Sequence, residues 1–392
     1  MPNTLSPSRR ILLGPGPSDV SPQVLEALAK PTLGHLDPEY LEIMDATGDM
    51  LRQVFRTDNR LTLAVSGTGS AGMEACVVNL IEPGDTMVVC VNGVFGGRMK
   101  DVAERCGATV PTIEVPWGET IDPAAVERTL AEHPGTKAFG IVHAETSTGA
   151  HQPLEEISEI VHRAGALLVV DTVTSLGGLP VEVDAWRIDA CYSGTQKCLS
   201  CPPGLAPVTF SDAALDVIQN RKTKVQSWYL DMSMISQYWG AERAYHHTAP
   251  INMSYGLYEA LRLILDEGLD ARIARHAINH RALRAGLEAL GLGYIPEHSL
   301  TTLNAIHTPP GIDEARVRLE LLEEYGIEIG SGLGAFKGKA WRIGLMGESS
   351  QRRHVTLVLA ALETLIARQG VDVPRGAALA AAEAAYGDAS VA

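Results

Sequence analysis

Two short apolar runs, each leading to a single chemically capable side chain, constrain this chain most. Leu167-Leu168-Val169-Val170 closes abruptly on Asp171. Ile188-Asp189-Ala190-Cys191-Tyr192 runs through Ser193-Gly194-Thr195-Gln196 into Lys197, ahead of Pro202-Pro203-Gly204. Apolar segments of this length, bounded by small and turn-forming residues, read as buried strands. Lysines usually sit on solvated faces, whereas Lys197 follows a buried strand and has only Gly, Thr, Gln, Cys and Pro around it. In α/β proteins the carboxyl ends of strands are where ligands bind. A chain of 392 residues suits one large α/β domain with a smaller one attached.

A lysine and a carboxylate at neighbouring strand ends are what pyridoxal phosphate chemistry requires. The lysine forms a Schiff base with the aldehyde, and the carboxylate keeps the pyridine nitrogen protonated so that the ring serves as an electron sink. Val170-Asp171-Thr172-Val173 and Ser193-Gly194-Thr195-Gln196-Lys197 with Pro202-Pro203-Gly204 together resemble the class V, fold type I pyridoxal phosphate aminotransferases. Within that class the resemblance is to the alanine–glyoxylate and serine–glyoxylate (serine–pyruvate) enzymes, and it covers the chain from Gly14 to about Gly370. It implies a large domain with a mostly parallel sheet flanked by helices, and a smaller C-terminal α/β domain.

Composition sets outer limits. The hydrophobic fraction of 45% and charged fraction of 20% are those of a soluble globular protein, and no apolar stretch is long enough to span a bilayer. A net charge of −15 argues against nucleic acid as a partner, so an anionic substrate must be held by local cations and helix N-termini. The six cysteines lie scattered in apolar or site-like stretches, and the first residues lack a signal-peptide core; a reducing cytoplasm is the expected location. Cys198 and Cys201 form a C-x-x-C beside Lys197, but with no second ligand pair nearby they read as packing residues, and no metal is expected.

Along the chain, residues 1–20 read as an N-terminal arm containing Leu13-Gly14-Pro15-Gly16-Pro17, which cannot be regular helix or strand. Ser21-Pro22 opens a helix with a serine cap, and a second helix is expected over about 38–55. A strand over 61–65 runs into Ser66-Gly67-Thr68-Gly69-Ser70-Ala71-Gly72, with a helix predicted from Met73 to Leu80. Free N–H groups at a helix start make this the best anion cradle in the chain. Gly67-x-Gly69-x-x-Gly72 also spells the dinucleotide fingerprint, which keeps a nicotinamide-dependent dehydrogenase as a rival from another class. Against it, the next strand, 86–91, ends in Asn92 and not in the acidic residue that would hold a ribose. Asn92-Gly93-Val94-Phe95-Gly96-Gly97 reads as a glycine-rich turn carrying one aromatic ring.

Further on, a strand over 137–143 leads to Glu145-Thr146-Ser147-Thr148-Gly149, and Val173 lies two residues past Asp171, on the same side of an extended chain. Residues 220–240 are rich in aromatic and basic side chains, and Tyr245-His246-His247-Thr248 follows in a loop; adjacent histidines on an extended chain point apart, which disfavours metal. A helix over 252–265 ends near Gly268, placing the domain change at about 266, with a small domain over 267–392. It holds helices at about 271–290 and 314–325, strands over 302–307 and 339–344, and an alanine-rich tail from 371. Trp341-Arg342-Ile343-Gly344 sets an arginine in an apolar strand, where a guanidinium needs a partner and suits a carboxylate two-point contact.

The resemblance implies roles for these positions. Lys197 carries the cofactor and shuttles the proton; Asp171 holds the pyridine nitrogen. Thr68, Gly69, Ser70 and Gln196 cradle the phosphate together with Tyr245 and Thr248 of a second subunit, which implies a homodimer. Phe95 and Val173 sandwich the ring, Thr146 bonds the phenolic oxygen, Arg342 binds the substrate carboxylate, and Gly16 and His35 border the substrate pocket. The expected activity is transamination between alanine or serine and glyoxylate or pyruvate. Lyases or desulfurases of the same class and pyridoxamine–pyruvate aminotransferase are the alternatives within the fold, and the amino donor stays open.

Overall fold

A computed structural model describes residues 5–389; residues 1–4 of the expected arm and 390–392 of the tail lie outside it. Its centre is a seven-stranded sheet. In spatial order the strands are Leu61–Ser66, Leu205–Phe210, Ala190–Tyr192, Leu167–Asp171, Ala138–Val142, Met87–Val91 and Thr112–Glu114. All run parallel except Leu205–Phe210, which is antiparallel to both neighbours. Central strands are buried along their length because helices cover both faces, giving the near-continuous apolar runs of the sequence. One core cluster lies on each face: Leu51, Phe139, Val170 and Leu257 on one, Leu63, Val89, Tyr192 and Phe210 on the other.

The parallel strands deliver the ends of Leu61–Ser66, Met87–Val91, Ala138–Val142, Leu167–Asp171 and Ala190–Tyr192 to one edge of this sheet. A second, three-stranded antiparallel sheet, ordered Leu303–His307, Ala340–Gly344, Gly330–Ser331, packs with the helices Leu269–Ala289, Glu314–Tyr325, Arg352–Arg368 and Ala377–Ala389 around its own core. Part of the N-terminal segment belongs to this second body: Ile11–Leu12 pairs in parallel with Ile327–Glu328, and Leu13 is fully buried in the same cluster.

Two elements differ from the sequence expectation, both because of glycine. The helix expected from Met73 begins at Gly69. A Cβ on Gly72 would lie 3.1 Å from the Cβ atoms of Ala206 and Tyr192, so this glycine permits close helix–sheet packing and does not break the helix. The expected turn around Phe95 is the first turn of a helix, Val94–Arg105. A Cβ on Gly96 would stand 2.5 Å from the carbonyl oxygen of Cys90, so here too a small residue is needed where helix meets strand.

Candidate active site

Asp171 is the last residue of its strand and is 2% exposed. Its Oδ1 accepts from the Val173 backbone N–H at 2.8 Å and its Oδ2 accepts from the Tyr192 hydroxyl at 2.8 Å. Burial outweighs both hydrogen bonds and raises its pKa to about 7. Lys197, 8% exposed, lies beyond the end of the adjacent strand. Burial, with the Arg342 charge adding to it, lowers its pKa to about 8. Its Nζ donates to the Pro15 carbonyl, and a Cβ on Gly16 would fall 2.6–2.9 Å from the lysine's Cδ, Cε and Nζ. Gly16 also has φ of +103°, so the Gly-Pro-Gly-Pro segment is pressed against the lysine by a residue that must lack a side chain. Ser18 ties the lysine loop to the same segment: its N–H donates to Gln196 O at 2.9 Å and its hydroxyl to Lys197 O at 2.7 Å.

Arg342 reaches this place from the second sheet and is 7% exposed. Its Nε donates to Ser331 O at 2.7 Å and Nη1 to Thr146 O at 3.0 Å. Among the described residues no carboxylate pairs with it, and burial lowers its pKa to about 10, which leaves it cationic at neutral pH. With Nε and one Nη1 hydrogen committed, the second Nη1 hydrogen and both Nη2 hydrogens are left for a ligand.

At the end of Leu61–Ser66, Thr68 caps the helix Gly69–Leu80 without a side-chain hydrogen bond; the Ala71 N–H bonds back to Thr68 O at 2.7 Å, and the N–H groups of Gly69 and Ser70 keep their unfilled capacity. Gly69 and Gly194 approach each other, with a Gly69 Cβ placed 3.1 Å from Val173 Cγ2 and 3.6 Å from Gly194 Cα. Gln196 Oε1 is buried with no hydrogen-bond partner, which is a costly arrangement unless something else occupies the cradle. The Ser70 hydroxyl accepts from Arg98 Nη1 at 3.0 Å, and that guanidinium lies 4.9 Å from the Phe95 ring centroid.

Residues 12–344 match the family described as aminotransferase class-V. The chain belongs to that family. It is 40% identical to the (S)-ureidoglycine–glyoxylate transaminase of Bacillus subtilis (strain 168), over 97% of this chain and 96% of the relative. It is 42% identical to the alanine–glyoxylate aminotransferase of Callithrix jacchus, over 91% of this chain and 88% of the relative. The crystal structure of the alanine–glyoxylate aminotransferase of Nostoc sp. superposes with a TM-score of 0.92 at 48% identity, covering 93% of this chain and 97% of that one.

This aminotransferase is therefore a pyridoxal phosphate enzyme of fold type I, and the residues present fit the group. An uncapped helix start suits a phosphate, to which the Gln196 amide could donate through its NH2, a buried carboxylate suits a basic ring nitrogen, and a lysine of lowered pKa suits an aldehyde. Gly16, Thr68, Gly69, Ser70, Phe95, Thr146, Asp171, Val173, Gln196, Lys197 and Arg342 form one connected constellation. His35, Tyr245 and Thr248 stand apart from it within the protomer. Tyr245 is 60% exposed and its ring lies 4.9 Å from that of His35, and Thr248 is also exposed. Their loop does reach the cradle's root, where His247 Nε2 and the Ser66 hydroxyl are 3.0 Å apart.

Three residues escaped the sequence reading. Glu145, fully buried, accepts from the N–H groups of Phe95, Gly96 and Ser147 and from the Ser147 hydroxyl, anchoring the helix turn that carries Phe95. It stood in view beside Thr146, but a lone Glu before a row of hydroxyls gives no sign of a helix packed above it. Tyr192 stood within an apolar run and Arg98 just past the glycine-rich segment, neither singled out; strand pairing and helix placement give them their partners.

Proposed function

We propose that this enzyme transfers an amino group from a small L-amino acid, alanine or serine, to a small 2-oxo acid, glyoxylate or pyruvate. The observation that carries the reading is the convergence of Lys197, Asp171 and the half-used guanidinium of Arg342 at one sheet edge. When bound, pyridoxal phosphate supplies an electron sink for the bond broken at the donor's α-carbon. Lys197 Nζ, whose pKa lowered to about 8 leaves part of it neutral, would hold the cofactor's aldehyde with loss of water and, once displaced by the donor's amine, would take and return the α-proton. Asp171 holds a proton at the ring nitrogen, Arg342 orients the substrate carboxylate, and the Thr146 hydroxyl, beside that of Thr174, bonds the phenolic oxygen. Gly69, Ser70, Thr68 and Gln196 hold the phosphate, with Phe95 and Val173 on the two ring faces.

Glyoxylate is favoured as acceptor because it stands in the names of both kinds of relative. All six cysteines are buried, which disfavours a desulfurase with its mobile nucleophilic thiol and accords with a reducing, cytoplasmic setting. Residues 21–266 would form the cofactor-binding domain and 267–392 the smaller one that contributes Arg342. A homodimer accounts for the exposed Trp228, Tyr229 and Tyr245 and would bring Tyr245 and Thr248 to the partner's phosphate. A second reading, ureidoglycine as donor, is favoured by the Bacillus relative, whose match spans 97% of this chain. Purified enzyme with glyoxylate should be offered alanine, serine and ureidoglycine in turn. A kcat/KM for ureidoglycine far above the other two replaces the first reading by the second, and no transfer from any of these donors to glyoxylate, nor from serine to pyruvate, refutes both.

A further inference from the structure

Asp171 owes its setting to a side chain that the site's motifs do not include. Its strand runs parallel to Ala190–Tyr192, and the register places Tyr192 directly opposite Asp171. Tyr192 is fully buried, its hydroxyl donates to Asp171 Oδ2 at 2.8 Å, and among the described residues that hydroxyl has no other hydrogen-bond partner. The helix Gly69–Leu80, whose start forms the phosphate cradle, rests on the same residue through the glycine contact at Gly72. Oδ1 is held by the Val173 backbone N–H, which no substitution of Val173 other than proline removes. Tyr192 is therefore the one side chain among the described residues that donates to this carboxylate.

We propose that Tyr192 is a positioning residue for the cofactor: its phenol acts on Asp171 from behind, favouring the ionised carboxylate and fixing its orientation for the pyridine nitrogen. The inference rests on Asp171 serving that nitrogen, as proposed above. A phenol has one proton to give and, facing a carboxylate, gives it, so the contact favours the anion over the neutral acid. The other titratable groups around Asp171 cannot do this in its place. Glu145 disfavours the anion by its charge, and Lys197 acts through space without a hydrogen bond. Cys76, from the helix above, and Cys191, from the same strand as Tyr192, are thiols that burial keeps neutral. Burial works against the carboxylate throughout, which makes each donor count.

The test compares binding of two cofactors to apoenzyme by titration: pyridoxal phosphate, and its 1-deaza analogue in which the ring nitrogen is replaced by C–H. Wild type should prefer pyridoxal phosphate. Tyr192→Phe keeps the buried ring and removes the hydroxyl, and should bind pyridoxal phosphate about ten- to a hundredfold more weakly, the range of a hydrogen bond to a charged group. Its affinity for the analogue should stay close to that of wild type. Because the preference is a ratio measured within one protein, a general loss of stability does not mimic it. Equal weakening toward both cofactors, or no weakening toward either, overturns the role of Tyr192. Asp171→Asn is the control: if it leaves the preference for pyridoxal phosphate intact, Asp171 does not serve the nitrogen and the inference falls with that reading.

Discussion

Replacing Arg342 by lysine separates a substrate contact from a structural one. The guanidinium makes two hydrogen bonds to backbone carbonyls, Ser331 O and Thr146 O, from different parts of the chain. A lysine ammonium keeps the charge but loses the planar fork, and its single nitrogen cannot hold both carbonyls and a carboxylate at their present places. Two losses follow. An unmet buried carbonyl costs about 1–3 kcal/mol of stability, which should lower Tm by several degrees. A charge-assisted two-point contact to substrate is worth about 1.5–3 kcal/mol, so KM for both the amino acid and the keto acid should rise roughly ten- to a hundredfold. The bound cofactor's spectrum should not change, since no hydrogen bond joins Arg342 to Lys197 or Asp171. The deciding assay compares alanine with an amine lacking the carboxylate, the second reacting poorly in wild type. If the substitution impairs both to the same degree, or leaves KM for alanine and glyoxylate untouched while lowering Tm, then Arg342 only ties the Ser331 and Thr146 segments together.

Other substitutions test the remaining parts of the site. Lys197→Ala should abolish turnover while the phosphate and ring contacts retain some cofactor, and borohydride treatment of wild type should place the label on Lys197 by peptide mapping; a label on Lys137, Lys222 or Lys224 refutes the assignment. Gly16→Ala adds a Cβ 2.6–2.9 Å from the lysine's outer carbons and nitrogen at φ +103°, so covalent cofactor loading should fall at least tenfold, read as lost visible absorbance. In the apoprotein, Asp171 has its folded pKa raised from 3.8 to about 7, so its contribution to stability is present below pH 4 and is lost as pH rises through 7. A shift of this size corresponds to about 4 kcal/mol, so apo Asp171→Asn should gain that much relative to apo wild type between pH 4 and pH 8 in denaturant titrations, and a pH-independent difference would show that Asp171 is not buried as described. Capture of pyridoxal phosphate by the apoenzyme should quicken with a midpoint near pH 8, following deprotonation of Lys197, and an unshifted midpoint near 10 would contradict the lysine's burial.

Local pattern was enough to single out candidate residues at strand ends. An apolar run that stops at Asp171 and another that leads into Lys197 are short-range signals, because a strand buried on both faces must be apolar throughout and can carry a charge only where it emerges. Arg342 was legible for a different reason, as a cation in the middle of an apolar strand, where it needs a partner. What local pattern leaves undecided is which elements meet. The same glycines are turn formers in the sequence and close-contact residues in the fold: Gly72 and Gly96 lie inside helices because a sheet residue stands where their side chains would be. The antiparallel insertion of Leu205–Phe210, the register that sets Tyr192 against Asp171, and the arrival of Arg342 at Thr146 are likewise contacts between distant segments. Composition and periodicity report how each segment meets solvent and core, and they carry no term for its neighbour. The identity of the proposed reacting groups is therefore written locally, while their partners, and with them their protonation and orientation, exist only once the chain has closed around them.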